Sequence, residues 1–225
     1  MANPERILVT GGGGFIGSSL VKELASRGHE VIALDLDNRD REDYVRCDVR
    51  AFRQLERLVE PRRFDSVYHL AAEYGRWNGE DYYENLWQTN AIGTKNMIRL
   101  QERLKFRLIF FSSAEVYGDY RGVMKEDVMD AIPIKQLNDY AITKWAGELM
   151  CLNSAEQFGT ETVRAGLAYP WQPTYAPSCG MDGLEPTARA PLREEDQRKS
   201  PTEMETSLTL WIASTAPRRT SRRER

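Results

Sequence analysis

Tyr140-Ala141-Ile142-Thr143-Lys144 sets a phenol and an ammonium group one helical turn apart on the same face. That pairing suits removal of a proton from an alcohol. A free phenol ionises near pH ~10, so a base useful at neutral pH must be shifted by about 3 units, or roughly 4 kcal/mol. A neighbouring cation acts in that direction. Arg107-Leu108-Ile109-Phe110-Phe111 reads as an apolar strand that delivers Ser112-Ser113 at its carboxyl end. The Ser113 hydroxyl can hold the same substrate oxygen that Tyr140 deprotonates. Tyrosine and lysine four apart also occur in ordinary helices, and serines at strand ends are routine turn formers. The chemistry therefore depends on the elements around them.

The first of those elements is Thr10-Gly11-Gly12-Gly13-Gly14-Phe15-Ile16-Gly17. Arg6-Ile7-Leu8-Val9 before it reads as a strand. After it, Ile16, Leu20, Val21, Leu24 and Ala25 recur at helical spacing up to Gly28. A glycine turn between strand and helix leaves unpaired N–H groups and the positive helix end facing one point, which suits a pyrophosphate. Gly11 allows the tight turn, Gly14 lets the ligand approach the backbone, and Gly17 lets the helix lie close on the strand. Glu30-Val31-Ile32-Ala33-Leu34 is a second strand that ends at Asp35. A carboxylate about 20 residues beyond the turn can accept hydrogen bonds from an adenosine ribose. Glycine turns without a ligand are common, but strand, turn, helix, strand and acid in this order point to a dinucleotide.

Strand and helix continue to alternate to about residue 166. The expected strands are Tyr44–Cys47, Ser66–Ala72, Arg107–Phe111 and Thr160–Arg164, and a helix with Phe52, Leu55, Leu58 and Val59 on one side is closed by Pro61. Long helices are expected over about 81–103 and 138–158, and polar loops over 73–80 and 118–137. This is the grammar of an α/β fold with a doubly wound parallel sheet (Rossmann), whose ligands lie beyond the carboxyl ends of the strands. Seven of the ten prolines lie from Pro170 onward, where the alternation stops, with one apolar patch, Leu208–Ala213, and an Arg-rich end. The expected division is a cofactor-binding domain over 1–169 and an irregular tail over 170–225.

Among 225 residues, 41% are hydrophobic and the net charge is −3, so a real core is possible and nucleic acid is not an expected partner. No stretch approaches the ~18 apolar residues of a membrane span, and Met1–Glu5 does not read as a signal peptide. Cys47, Cys151 and Cys179 lack metal-ligand spacing and are expected as reduced thiols in a cytoplasmic protein, with no metal site. His69 is expected to hydrogen-bond backbone rather than react. Tyr74, Arg76 and Trp77 are either substrate contacts or surface residues. Tyr82, Tyr83, Leu86 and Trp87 are expected to pack their helix.

The stretches Thr10–Gly17, Asp35, Cys47-Asp48-Val49, His69-Leu70-Ala71-Ala72, Asn90–Thr94, Ser112–Gly118 and Tyr140–Lys144 together resemble the extended short-chain dehydrogenase/reductases, in their nucleotide-sugar epimerase/dehydratase branch. The resemblance covers residues 5 to about 165. It implies NAD held by Gly11, Gly14, Phe15, Ile16 and Gly17, with Asp35 favouring NAD over NADP. It places Asp48 and Val49 at the adenine and Leu70, Ala71 and Ala72 along the cofactor. Lys144 is implied at the nicotinamide ribose, and Asn90 as a structural or proton-relay residue. It implies oxidation of a sugar C4 hydroxyl with Tyr140 as base and Ser113 orienting the oxygen, then epimerisation, dehydration or decarboxylation. Glu115 stands where dehydratases and decarboxylases of this branch carry a glutamate, although Ala114 replaces the aspartic acid of the hexose dehydratases, and a solvated loop carboxylate is the plain alternative. A homodimer through helices 81–103 and 138–158 is also implied.

After the sixth strand the branch carries Arg-x-x-Asn-x-Tyr-Gly-Pro. Here Arg164-Ala165-Gly166-Leu167-Ala168-Tyr169-Pro170 has leucine for asparagine and proline for glycine, and from Trp171 onward no family pattern is recognisable. An out-of-frame or truncated end is one reading of that change. The alternative function it opens is a catalytically weak or inactive NAD-binding module.

Overall fold

The computed structural model describes residues 3–74, 82–122 and 128–167. Six strands form one parallel sheet: β1 (Arg6–Thr10), β2 (Glu30–Asp35), β3 (Tyr44–Arg46), β4 (Ser66–His69), β5 (Arg107–Ser113) and β6 (Thr162–Leu167), in the order β3-β2-β1-β4-β5-β6. Ile7, Leu8 and Val9 are buried, as a central strand covered on both faces requires. Helix α1 (Phe15–Ser26) links β1 to β2 and buries Gly17, Leu20, Val21 and Leu24, one stripe at helical spacing. Helix α2 (Phe52–Arg62) links β3 to β4. Between β4 and β5 the chain forms α3 (Tyr83–Trp87), a π-helical turn (Gln88–Gly93) and α4 (Thr94–Leu104). A 3-10 turn (Ala114–Tyr117) and the short α5 (Val128–Ala131) follow β5, and α6 (Asp139–Phe158) returns to β6.

Right-handed crossovers put α1 on one face of the sheet and α2, α4 and α6 on the other, because the chain reverses direction between β1 and β4. Leu8, Leu55, Val67, Met97, Leu108 and Cys151 share the core beneath the second set. The reversal opens a crevice beyond the carboxyl ends of β1 and β4, so Thr10, Asp35, His69 and Ser113 all end strands at the same edge of the sheet. The expected doubly wound parallel sheet is therefore the observed one.

Several boundaries move, each for a local reason. Strand β6 runs Thr162–Leu167 rather than 160–164, because Gly166 and Leu167 pair with Ser112 and Ser113. Strand β4 stops at His69, with Leu70–Ala72 beyond it, and β3 stops at Arg46. Pro61 lies inside α2, and the helix ends one residue later as Arg63 turns left-handed at φ 51°. Asn138 is the cap of α6 rather than its first residue. The expected helix over 81–103 is interrupted by the π-turn, which carries the buried Asn90. The expected tail over 170–225, Arg76 and Trp77 lie outside the described residues.

Candidate active site

Gly11 adopts φ 71°, a left-handed conformation that L side chains rarely take. A Cβ on Gly17 would lie 2.1 Å from the Gly11 carbonyl oxygen, so the first turn of α1 rests directly on the glycine turn. Gly14 caps α1 without a side-chain hydrogen bond, and no acid occupies the first turn. The N–H groups of Phe15, Ile16 and Gly17 thus have no intrahelical acceptor and sit at the positive end of the helix. This cradle fits a diphosphate. Asp35 is held beside it: Oδ2 accepts the Gly13 N–H at 2.9 Å and Oδ1 the Leu36 N–H at 2.8 Å. Each oxygen keeps a lone pair that a ribose hydroxyl can use. Arg39, which the sequence reading missed, donates to the Gly13 carbonyl at 2.9 Å and pairs with Asp37.

Beyond β3, Asp48 is locked by Arg50, which donates Nη2 to Oδ2 at 2.7 Å and its backbone N–H to Oδ1 at 2.9 Å. This arginine also holds the Asp48 carboxyl below the usual range. Arg50 further bonds Asn85 on α3, and Asn85 donates to Glu73 at 2.9 Å. The two-residue Asp48-x-Arg50 spacing is the sequence signal for this clamp, and the sequence reading missed it. Val49 is buried, and its side chain fills the space where Gly93 lacks a Cβ. Leu70, Ala71 and Ala72 run out from β4, and a Cβ on Gly11 would lie 2.8 Å from the Ala71 nitrogen. The two loops therefore touch at the crevice. Asn90 accepts the Glu73 N–H at 2.9 Å and donates to the Glu73 carbonyl at 2.9 Å and to Thr143 at 3.1 Å. The π-turn rotates Asn90 inward to tie the loop after β4 to α6.

At the end of β5, Ser113 accepts the Glu115 N–H at 3.2 Å, and its hydroxyl lies near enough to the Tyr140 phenol to favour the ionised form. Tyr140, Ser113 and Glu115 are thus brought together as expected. Lys144 is not directed at the phenol. Its ammonium donates to the Phe111 carbonyl at 2.8 Å and lies 5.8 Å from the centre of the Tyr140 ring. Burial pulls Lys144 down to about 8. Burial also pushes Tyr140 up to about 12, the Ser113 hydroxyl opposing and the Glu115 charge adding to the rise. The lysine-lowered phenol expected from the Tyr140–Lys144 spacing is therefore absent from the chain by itself. The reason is geometric: i,i+4 spacing sets both side chains on one face, but a buried ammonium needs an acceptor and takes the β5 carbonyl.

His69 differs from expectation in detail. It is buried between two threonine hydroxyls, Nδ1 2.7 Å from Thr10 and Nε2 3.1 Å from Thr94, rather than bonded to backbone. Desolvation, reinforced by Lys144, drives it down to about 3, so the ring is neutral. The aromatic set on α3 also divides: Leu86 is buried, whereas Tyr82, Tyr83 and Trp87 are exposed, because the helix presents one narrow apolar stripe. Trp87 donates to Asp139 at 3.0 Å. Tyr74 is exposed at 72%. Cys47 and Cys151 are buried thiols. Among the described residues there is no cluster able to hold a metal ion, and no helix is long and apolar enough to cross a membrane.

The sequence profile of the NAD dependent epimerase/dehydratase family matches residues 7–168. The UDP-N-acetyl-alpha-D-glucosaminuronate decarboxylase of Bacillus cytotoxicus is 33% identical over 165 residues, covering 68% of this chain and 51% of its own. UDP-glucuronic acid decarboxylase 1 of Danio rerio is 35% identical over 164 residues, 70% of this chain and 39% of its own. Among solved structures, the Thermus thermophilus UDP-glucose 4-epimerase in complex with NAD superposes with a TM-score of 0.63 and 29% identity, covering 71% of this chain and 53% of that one. The chain spans about half or less of the length of the curated relatives it matches. The matched residues include the glycine turn, the acid-ended second strand, Ser113, Tyr140 and Lys144, and this chain belongs to the NAD dependent epimerase/dehydratase family.

Proposed function

We propose that the chain binds NAD across the β1–β4 crevice and acts on a nucleotide-linked sugar by transient oxidation at C4. The observation that carries this reading is the gathering of Ser113, Glu115 and Tyr140 at the sheet edge that also holds the open amides of α1. Residues 1–169 serve as the cofactor domain. Phe15, Ile16 and Gly17 offer N–H groups to the diphosphate, Asp35 takes the adenosine ribose, and Asp48 with Val49 borders the adenine. Leu70–Ala72 and Asn90 line the path to the nicotinamide. NAD bound there would accept the hydride from the sugar carbon.

The remaining roles belong to side chains. Ser113 donates to or accepts from the sugar oxygen and holds it against the Tyr140 phenol. A phenol near 12 is protonated at neutral pH. It becomes a base only when positive charge is added to that of the Lys144 ammonium already beside the ring, and an oxidised nicotinamide bound there would supply charge of that sign. The proton that Tyr140 takes from the sugar hydroxyl returns to the same oxygen when the ketone is reduced back. Glu115 faces the carbon beside the ketone and takes its proton, which the carbonyl has acidified. The decarboxylases and the epimerase to which the chain is similar favour a UDP-sugar. Exposed Ile92 on the π-turn and Ile142, Leu149 and Leu152 on α6 support a homodimer through these two helices.

A second reading is an NAD-binding module without turnover. It is favoured by Leu167, an apolar residue paired with Ser113 where the branch carries asparagine. Calorimetry with NAD, then with UDP-, GDP- and dTDP-sugars, tests both. Binding of NAD and of one sugar nucleotide supports the enzyme, and NAD binding alone supports the module. Failure to bind NAD overturns the cofactor reading.

A further inference from the structure

Glu115 is an exposed carboxylate with an unusual tether. Its Oε2 accepts from the side-chain amide of Asn138 at 2.8 Å. The other end of the same amide does different work: Asn138 Oδ1 accepts the Ala141 N–H at 2.7 Å and caps α6. Two residues further along the chain is Tyr140, whose phenol lies near Ser113, which accepts the Glu115 N–H. Ser113, Glu115, Asn138 and Tyr140 are therefore gathered where the turn after β5 meets the start of α6, and the Glu115–Asn138 bond ties the two together. Among the described residues Glu115 forms no ion pair with a lysine or arginine.

We propose that Asn138 is a positioning residue, whose amide fixes the Glu115 carboxylate beside the Ser113–Tyr140 pair for proton removal next to a sugar ketone. A glutamate left free on the surface samples many rotamers, and ordering it at the moment of reaction slows the step. An arginine or lysine partner would order it but also stabilise its charged form and weaken it as a base. A neutral amide orders it without bringing a full charge. Asparagine is among the best helix caps, so the residue that fixes the carboxylate also fixes the helix that presents Tyr140. The step itself balances without a co-reactant. The C–H bond beside the ketone breaks, its electron pair moves toward the carbonyl oxygen as the enolate forms, and the proton goes to Glu115. Return of a proton from the same carboxylate restores the ketone.

This inference rests on the proposed nucleotide-sugar reading, and its test bypasses hydride transfer. The full chain is incubated with NAD and a UDP-4-keto-6-deoxyhexose in D2O, and deuterium uptake beside the ketone is followed by NMR. Binding of the same compound is measured by calorimetry. The chain is expected to accelerate uptake over buffer, and Glu115→Gln to abolish the acceleration. Asn138→Ser keeps a capping oxygen but loses the amide N–H that reaches Glu115, and should slow uptake about 10-fold to 100-fold at saturating ketone, with affinity and thermal midpoint nearly unchanged. Asn138→Asp keeps the cap and adds a like charge, and should slow it at least as much. In the Glu115→Gln background, Asn138→Ser should add nothing. Ketone binding with no accelerated uptake, wild-type uptake in Asn138→Ser, or slowing that appears only with a lower thermal midpoint would each overturn the proposal. No binding of the ketone would overturn the nucleotide-sugar reading itself, and this inference with it.

Discussion

Replacing Gly17 with alanine separates the two jobs of the glycine turn. The added methyl would lie 2.1 Å from the Gly11 carbonyl oxygen, 2.8 Å from the Gly11 carbonyl carbon and 2.9 Å from the Gly12 Cα. All three atoms are backbone and none can swing aside, so α1 must withdraw by about 1 Å to restore ordinary contact. Such overpacking costs about 1–3 kcal/mol, and alanine regains about 1 kcal/mol of helix propensity, leaving a net loss of about 1 kcal/mol in folding. Binding is more sensitive. The Phe15, Ile16 and Gly17 amides move with the helix, and a hydrogen bond stretched by about 1 Å falls outside the useful range. A hydrogen bond to a charged group contributes about 1.5–3 kcal/mol, so losing one weakens NAD binding by about tenfold to a hundredfold. Calorimetry reads the affinity, and circular dichroism reads the thermal midpoint. The expected pattern is a small fall in midpoint with a large fall in affinity. An alanine variant that binds NAD within twofold of the wild-type chain would refute the diphosphate cradle.

Three other outcomes are set by the same geometry. Tyr140→Phe removes the hydroxyl that lies near Ser113 while leaving the glycine turn untouched, so turnover should fall at least a hundredfold with NAD affinity nearly constant. Full activity in that variant would discard Tyr140 as the base. His69 titrates near 6.5 when unfolded and near 3 in the fold. Between those values the unfolded chain binds more protons, so stability is full above about pH 6.5 and falls as pH drops toward 3, by about 3 kcal/mol at pH 4. His69→Gln keeps a donor and an acceptor without titrating, and urea unfolding from pH 7 to pH 4 should show a correspondingly shallower loss; an unchanged slope would reject His69 as the source. Leu149→Lys on α6, a side chain 48% exposed, should convert the proposed homodimer to monomer in sedimentation; a wild-type monomer at tens of micromolar would dismiss that interface.

Much of the fold was legible because its signals are local. Apolar strands bounded by glycine, proline and charge, and helices with one apolar stripe, identify themselves within about 10 residues. The glycine turn was legible for the same reason, since Gly11 and Gly17 are required by contacts only a few residues away. Boundaries that depend on partners were not. Strand β6 reaches Leu167 where β5 continues through Ser112 and Ser113 beside it, and the helical stretch Tyr83–Leu104 carries a π-turn where Asn90 bonds Glu73 and Thr143.

By itself, the sequence determined the parallel doubly wound sheet, the glycine turn between β1 and α1, the acid at the end of β2 and the candidate set Ser113, Tyr140, Lys144 and Glu115, because periodicity and short motifs carry those. Only the tertiary structure decided what each side chain faces. It sent the Lys144 ammonium to the Phe111 carbonyl instead of the phenol, clamped Asp48 with Arg50, and tied Glu115 to Asn138. The physical reason is that a polar side chain takes the partner the fold brings within reach: the buried Lys144 finds its acceptor on β5, and Glu115 finds its donor at the start of α6.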